Sequence, residues 1–246
     1  MTMPNYATAS YTNLKASFQA LVGLETLQSI DATFLRDLVN RRARIAHERY
    51  PWPQFTVIGE SVALTSADNN RIRIYGTDNK LSNDANVVFK IHKTDPAVDE
   101  FPDEYVFYSE LDSAGYPSVK IVDEGNLGGS TIYITYRKDL KAEINSGSAT
   151  SGQYGDGADD EQNIPEVFFD YMVYGAYADF LRSDGQTQKA ALEEQNAENL
   201  IARELDIVRE QGRQFRNDVL QYRPPSQFRR HNIEAGGQPV ATGDNP

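Results

Sequence analysis

Hydrophobic positions along the chain fall into three regimes, the first of them helical. Over residues 11–22, Leu14, Phe18 and Leu21 recur at spacings of four and three, and Gly23 ends the run. A stronger helix is predicted from Asp31, a good N-cap, with Phe34, Leu35, Leu38, Val39, Ile45 and Ala46 in one stripe. Asp37 with Arg41, and Arg44 with Glu48, are spaced i to i+4 on its polar side. Tyr50-Pro51-Trp52-Pro53 stops it. Proline cannot continue a helix, and it pushes the preceding residue toward extended geometry.

Between about residues 55 and 140 the period changes from 3.6 to 2. Ile72 and Ile74 alternate with Arg71, Arg73 and Tyr75, while Ile132, Ile134 and Tyr136 alternate with Thr131, Tyr133 and Thr135. Residues 87–91, 105–108 and 119–122 read as further short strands, rich in β-branched and aromatic residues. Turn clusters such as Asp68-Asn69-Asn70, Ser113-Ala114-Gly115 and Gly125-Asn126-Leu127-Gly128-Gly129 punctuate them. Strands this short, with turns this frequent, predict a small antiparallel sandwich or barrel.

The third regime opens after a stretch rich in Gly, Ser and Asp at residues 145–163, which reads as a flexible linker or exposed loop. Pro165 then starts a helix at a position that tolerates proline. From Val167 to Leu181 this helix is apolar on nearly every side, with Asp170 and Asp179 its only charges. A helix apolar all round must be covered all round. This one is shorter than the roughly 20 residues needed to cross a bilayer, so its cover must be protein, and a chain of this size is expected to need neighbours to supply it. Phe168, Tyr171, Met172, Gly175, Tyr177 and Leu181 are therefore the candidate subunit-packing residues, with Gly175, Ala176 and Ala178 allowing close approach. Gly185 is the expected C-cap. A longer helix follows over residues 187–220, striped by Ala197, Leu200, Ile201, Leu205, Val208, Phe215 and Val219.

The expected fold is α+β: a helical bundle with an inserted small antiparallel β-sandwich or barrel module and an extended C-terminal arm. Its parts are N-terminal helices (1–54), the β-module (55–144), the loop (145–163), a helical hairpin (164–222) and the arm (223–246).

Charge narrows the functional classes. The 246 residues carry a formal net charge of −12, which argues against a sequence-reading DNA-binding module. There is no cysteine, hence no disulfide scaffold and no thiolate zinc site. The first residues lack the basic and apolar regions of a signal peptide, and no stretch is long enough to span a membrane, so a soluble chain is expected.

Candidates for chemistry are few. His47, His92 and His231 lie in different segments, with no metal-ligand spacing. His47 is expected near a helix C-terminus, where a partly protonated imidazole suits the dipole. Asp99, Glu100, Asp103 and Glu104 surround Phe101-Pro102 and read as a solvated acidic loop in preference to a glycosidase pair. Asp156, Asp159, Asp160 and Glu161 do not follow the calcium-loop pattern. Phosphate-binding, dinucleotide-binding and nucleophile-elbow motifs are absent from the sequence. No catalytic residue, cofactor or metal is expected. The arm differs: Arg223, Phe228, Arg229 and Arg230 are of the types that dominate interface hot spots, on a segment expected to order on a partner.

Three stretches together resemble the head–tail adaptor (connector, or head-completion) proteins of tailed bacteriophages. They are Phe34-Leu35-Arg36-Asp37-Leu38-Val39-Asn40-Arg41-Arg42 closed by Tyr50-Pro51-Trp52-Pro53, the strand Ile132-Tyr133-Ile134-Thr135-Tyr136-Arg137, and Ile164-Pro165-Glu166 through Tyr174-Gly175-Ala176-Tyr177-Ala178-Asp179-Phe180-Leu181-Arg182-Ser183-Asp184-Gly185-Gln186. The last leads into Lys189-Ala190, Glu194 and Ala197-Glu198. The resemblance implies a helical bundle forming a dodecameric ring beneath the capsid portal, in the neck of the virion, assembled in the host cytoplasm. The C-terminal arm would reach the portal, and tail, nozzle or terminator proteins would bind the far side. DNA would pass through the lumen without sequence-specific binding. The family has neither enzymatic activity nor a cofactor, and it does not insert into membranes.

Two other readings compete. One is another phage neck or tail structural protein, such as a collar or tail terminator. The other is a carbohydrate- or surface-binding module with Trp52, Tyr75, Tyr105, Tyr108 and Tyr133 as its platform.

Overall fold

The structure, a computed structural model, describes residues 8–23, 29–99, 101–122, 125–145, 152–155 and 163–221. It is mixed α+β. Residues Met1–Ala202 form one compact unit and Arg203–Pro246 a second.

After a short strand β1 (Thr8–Ser10), helix α1 (Tyr11–Val22) starts where the Ser10 hydroxyl accepts the Asn13 N–H at 3.2 Å. It ends as predicted on Gly23, which is left-handed. Helix α2 (Ser29–Arg49) begins two residues before the predicted cap. Asp31 therefore lies within the helix instead of capping it. Leu35, Leu38, Val39 and Ala46 are buried as the stripe requires, together with Ala43, but Phe34 sits at the exposed margin.

The middle of the chain is antiparallel. Strands β2 (Thr56–Ala63), β3 (Arg71–Arg73), β4 (Ala85–His92), β5 (Phe107–Leu111), β6 (Pro117–Ile121) and β7 (Thr131–Lys138) form two three-stranded sheets, ordered β2-β7-β4 and β3-β6-β5. Ile91, Ile132, Ile134 and Tyr136 from the first sheet share one core with Ile72, Val119 and Ile121 from the second. The two sheets do not close into a barrel, which removes that half of the expectation. Strand β2 was not singled out by alternation because the β2–β7 register slips between Val57 and Glu60. Gly59, at the slip, has a φ of +66°, and a Cβ there would lie 2.5 Å from Pro96 Cγ. A bulge of this kind breaks the period-2 signal.

Past helix α3 (Leu140–Asn145), most of the Gly-rich stretch lies outside the described residues, which include only 152–155 of its interior. Tyr154 is buried, with its N–H donating to Asn40 Oδ1 at 2.8 Å and its carbonyl accepting from Asn40 Nδ2 at 3.0 Å. These two bonds tie Tyr154 to α2. Strand β8 (Asn163–Pro165) then pairs with β1 and leads into helix α4 (Glu166–Ser183). Pro165 is the cap residue itself, one position before the predicted place. Asp184 caps the other end, and Gly185 follows it in the left-handed region, with Gln186 N–H bonding Leu181 O at 2.8 Å.

Helix α4 corrects the expectation that neighbours must cover it. Its own chain buries Val167, Phe168, Tyr171, Met172, Val173, Gly175, Ala176, Ala178 and Leu181. Helices α1 and α2 both pack on it. Phe18 of α1 meets Tyr177 and Phe180 edge-on, at 6.4 and 5.7 Å between ring centroids. Helix α5 (Thr187–Gln221) buries Ala190, Ala197 and Ile201 in the first unit. An apolar helix in the centre of a three-helix packing needs no second subunit.

Candidate functional site

The described residues concentrate their polar chemistry where α2, α4 and the start of α5 meet. Arg42 occupies the buried face of α2, four residues after Leu38 and four before Ala46. It donates from Nε and Nη2 to both carboxylate oxygens of Asp179, at 2.8 and 2.7 Å. It also donates from Nη1 and Nη2 to Glu194, at 2.7 and 2.6 Å. Planar forks of this kind are the strong form of ion pairing. Burial works against the charge of Arg42, but the bonds to Glu194 and Asp179 outweigh it and hold its pKa above the ordinary arginine value. The same bond from Arg42 holds the Glu194 carboxyl below the usual glutamate range, against the effect of its own burial.

Gly175 makes room for this arrangement. A Cβ there would lie 2.9 Å from Arg42 Cδ and 3.0 Å from Nε. Two turns along α2, Arg49 pairs with Glu198. The Tyr171 ring lies under both guanidinium groups, 6.0 Å from Arg42 Cζ and 5.7 Å from Arg49 Cζ. Burial pushes the Tyr171 phenol up. Arg182 reaches Asp179 at 3.0 Å from the exposed side. The result is a ladder of charges that fixes the rotation of three helices relative to one another.

A second cluster joins the helices to the sheets. The last carbonyls of a helix lack partners within it. Here Trp52 Nε1 donates to Ala46 O at 2.8 Å, and Arg137 Nη1 of β7 donates to His47 O at 3.1 Å. Arg137 Nη2 bonds Asn86 Oδ1 of β4 at 2.7 Å. Desolvation lowers the Arg137 pKa. Trp52 packs edge-on against Phe168 at 5.1 Å, and Phe55 stacks on Phe168 at 5.4 Å. The Pro-Trp-Pro segment, the β7 strand and the α4 segment, which carry the resemblance separately in sequence, thus meet at one joint.

His47 lies in this joint and corrects its predicted protonation. It is in the last turn of α2 as expected, but fully buried, with Nε2 donating to Lys138 O at 3.1 Å. Burial first, and the neighbouring Arg137 second, lower its pKa to about 4. The imidazole is neutral near pH 7, and its role is packing and hydrogen bonding.

Of the predicted packing residues, Phe168, Tyr171, Met172, Gly175 and Leu181 are buried within the chain, and Tyr177 is half-buried against Phe18. Arg223, Phe228, Arg229 and Arg230 lie outside the described residues. Sequence reasoning missed Arg42, Arg49, Glu194 and Glu198 as a set. One signal was available: a lone arginine within an apolar stripe, facing a helix whose apolar run over residues 167–181 holds only two acids.

Elsewhere, Phe101, Asp103 and Glu104 of the acidic loop are exposed. Thr94 Oγ1 and Phe101 N–H both donate to Asp99, at 2.7 and 3.0 Å, which holds that carboxyl below the usual range. Of the residues of the aromatic platform, Trp52 is fully buried against Phe168 of α4, while Tyr108 is exposed. Among the described residues, no group of His, Asp and Glu is placed to hold a metal ion, and no helix is long and apolar enough to cross a membrane. The sequence matches no family model and no curated protein.

Proposed function

We propose that the chain is a structural virion protein, an adaptor ring subunit that docks on the capsid portal and joins head to tail. In this reading α1, α2, α4 and the start of α5 are the helical bundle of the wedge, and the two sheets around one core are its inserted sandwich. The observation that carries it is the joint at Trp52, Arg137 and Phe168. Three segments that resemble head–tail adaptors in sequence are the three that this joint ties together. The ionic ladder adds a physical argument. Arg42 and its two carboxylates fix helix rotation at the cost of desolvation, a device suited to a part that must present one defined shape.

The portal is reached by the basic, aromatic arm at Arg223, Phe228, Arg229 and Arg230, and DNA passes a lumen too acidic to grip phosphate. Deleting residues 223–246 tests the docking. Portal binding, read by co-sedimentation with portal rings, is lost while the thermal transition is unchanged. Binding that survives the deletion contradicts the assigned docking.

A further inference from the structure

A bare strand edge is a template for another chain, and proteins blunt such edges with bulges, charges, proline or a covering segment. The two three-stranded sheets have edges at β2, β4, β3 and β5. At β2 the bulge beside Gly59 breaks the line of the strand. Strand β3 is Arg71-Ile72-Arg73, and its outward carbonyl at Arg73 accepts the Lys80 N–H at 3.3 Å. Strand β4 is tied near both ends: Ala85 N–H donates to Ile74 O, and Ile91 O accepts from Tyr105 N–H, each at 2.8 Å. Strand β5 differs. Its residues Phe107-Tyr108-Ser109-Glu110-Leu111 include no proline or lysine, and its register with β6 has no slip. Its one charge, Glu110, is paired with Arg71.

Bonds at the two ends of β5 fix which of its backbone groups face outward. Val122 N–H donates to Val106 O at 3.0 Å, and Asp112 N–H donates to Tyr116 O at 2.9 Å. In an antiparallel ladder alternate residues bond the same neighbour, so Tyr108 and Glu110 also turn toward β6. Phe107, Ser109 and Leu111 turn outward, where none finds a backbone partner among the described residues. Leu111 lies on the same face of the sheet as the core residues Val119 and Ile72, yet it is 67% exposed. The core-facing side of this edge is therefore uncovered.

Register selects the occupant. When β5 pairs antiparallel with its own copy about a two-fold axis at Ser109, all three outward residues exchange bonds. Leu111 then stands opposite Phe107 of the second copy, apolar on apolar, and Tyr108 stands opposite Glu110. Moving the axis to Glu110 sets Glu110 on Glu110, and moving it to Leu111 sets Glu110 on Asp112. Moving it to Tyr108 sets Asp112 on Glu104. Like charges directly opposite are destabilising, which leaves the Ser109 register. The added strand must also stop short of Tyr105, where β4 takes the edge. It does so, because the chain turns at Asp112, whose carbonyl accepts the Gly115 N–H at 2.9 Å.

We propose that β5 is a docking edge for a second copy of this chain, which continues the sheet β3-β6-β5 across a two-fold axis at Ser109. The contact is a single short strand, so the pair is reversible and dependent on concentration. A two-fold contact is not the one between neighbours in a cyclic ring, and the inference stands or falls separately from portal binding.

The absence of cysteine makes the register testable in the full-length chain. Positions 108 and 110 of the two copies face each other at about 4.5 Å between Cα atoms, within reach of a disulfide. Tyr108→Cys and Glu110→Cys chains, mixed and mildly oxidised, therefore give a covalent pair with one of each as the main product. Each variant oxidised alone stays mostly uncross-linked. Cross-linking of either variant alone to the same extent, or none in the mixture, overturns the proposal. Sedimentation supplies the edge test. Ser109→Pro removes an outward N–H and none of those bonded to β6, and it weakens self-association by about tenfold or more with the thermal transition kept. Leu111→Lys leaves every backbone bond in place and weakens self-association likewise, so it carries the test if the proline variant misfolds. A chain that never self-associates, or does so unchanged by both substitutions, also overturns it.

Discussion

Arg42 shows how a single side chain sets the packing of three helices. Its bonds to Asp179 and Glu194 offset the burial of two charges only while all three groups remain. Arg42→Met leaves the buried Asp179 with the part-exposed Arg182 as its remaining ion-pair partner, and is expected to lower stability by about 3 kcal/mol in urea unfolding. Adding Asp179→Asn removes the undercompensated buried charge and recovers part of that loss, giving a double-mutant coupling well outside the additive expectation. Strict additivity would count against the ladder. His47 provides the pH signature. Below about pH 6.5 the unfolded imidazole takes up a proton that the folded one refuses until about pH 4. Stability is therefore full above the unfolded value and falls as pH drops from about 6.5 toward 4, by up to about 3 kcal/mol. His47→Gln flattens the urea midpoint over that window. Any loss due to Glu194 begins only below the ordinary glutamate pKa, so the two contributions separate.

At the scale of elements, most boundaries were legible, since α1, α4 and α5 follow directly from apolar spacing, proline and glycine. What stayed hidden has local causes. The slip at Gly59 broke the alternation of β2, and the three-residue strands β1 and β8 are too short to show any period. Tyr154 gave no warning within its Gly and Ser neighbours that it would be buried. The all-round apolarity of α4 demands cover, and helices that supply it are in the same chain. The joint makes its own prediction. Trp52 fills the space between α2 and Phe168 and caps Ala46 O, so Trp52→Ala is expected to cost about 3–5 kcal/mol. Calorimetry should show the helices and the sheets melting in separate steps once that tie is gone. A single transition at an unchanged temperature would show that the joint carries no load.

At the scale of the molecule, charge and resemblance bear on what geometry alone does not specify. A net charge of −12 on a chain with arginines gathered on α2 and in residues 213–230 suits a ring that repels DNA from its lumen and holds a partner by its basic end. The expected lumen is lined mainly by Asp and Glu, and a densely basic lumen in an assembled ring would refute that part. The ladder at Arg42 was not legible as a site because no motif marks it. The partners of Arg42 come from α4 and α5, more than a hundred residues away along the chain, and only the fold brings them to it. The direct measurement is native mass spectrometry of the pure chain, first alone and then mixed with portal rings, with the mixed sample imaged by electron microscopy. The adaptor reading predicts one closed dodecameric ring of this chain seated on each portal. A chain that stays free of the portal at every concentration would contradict it.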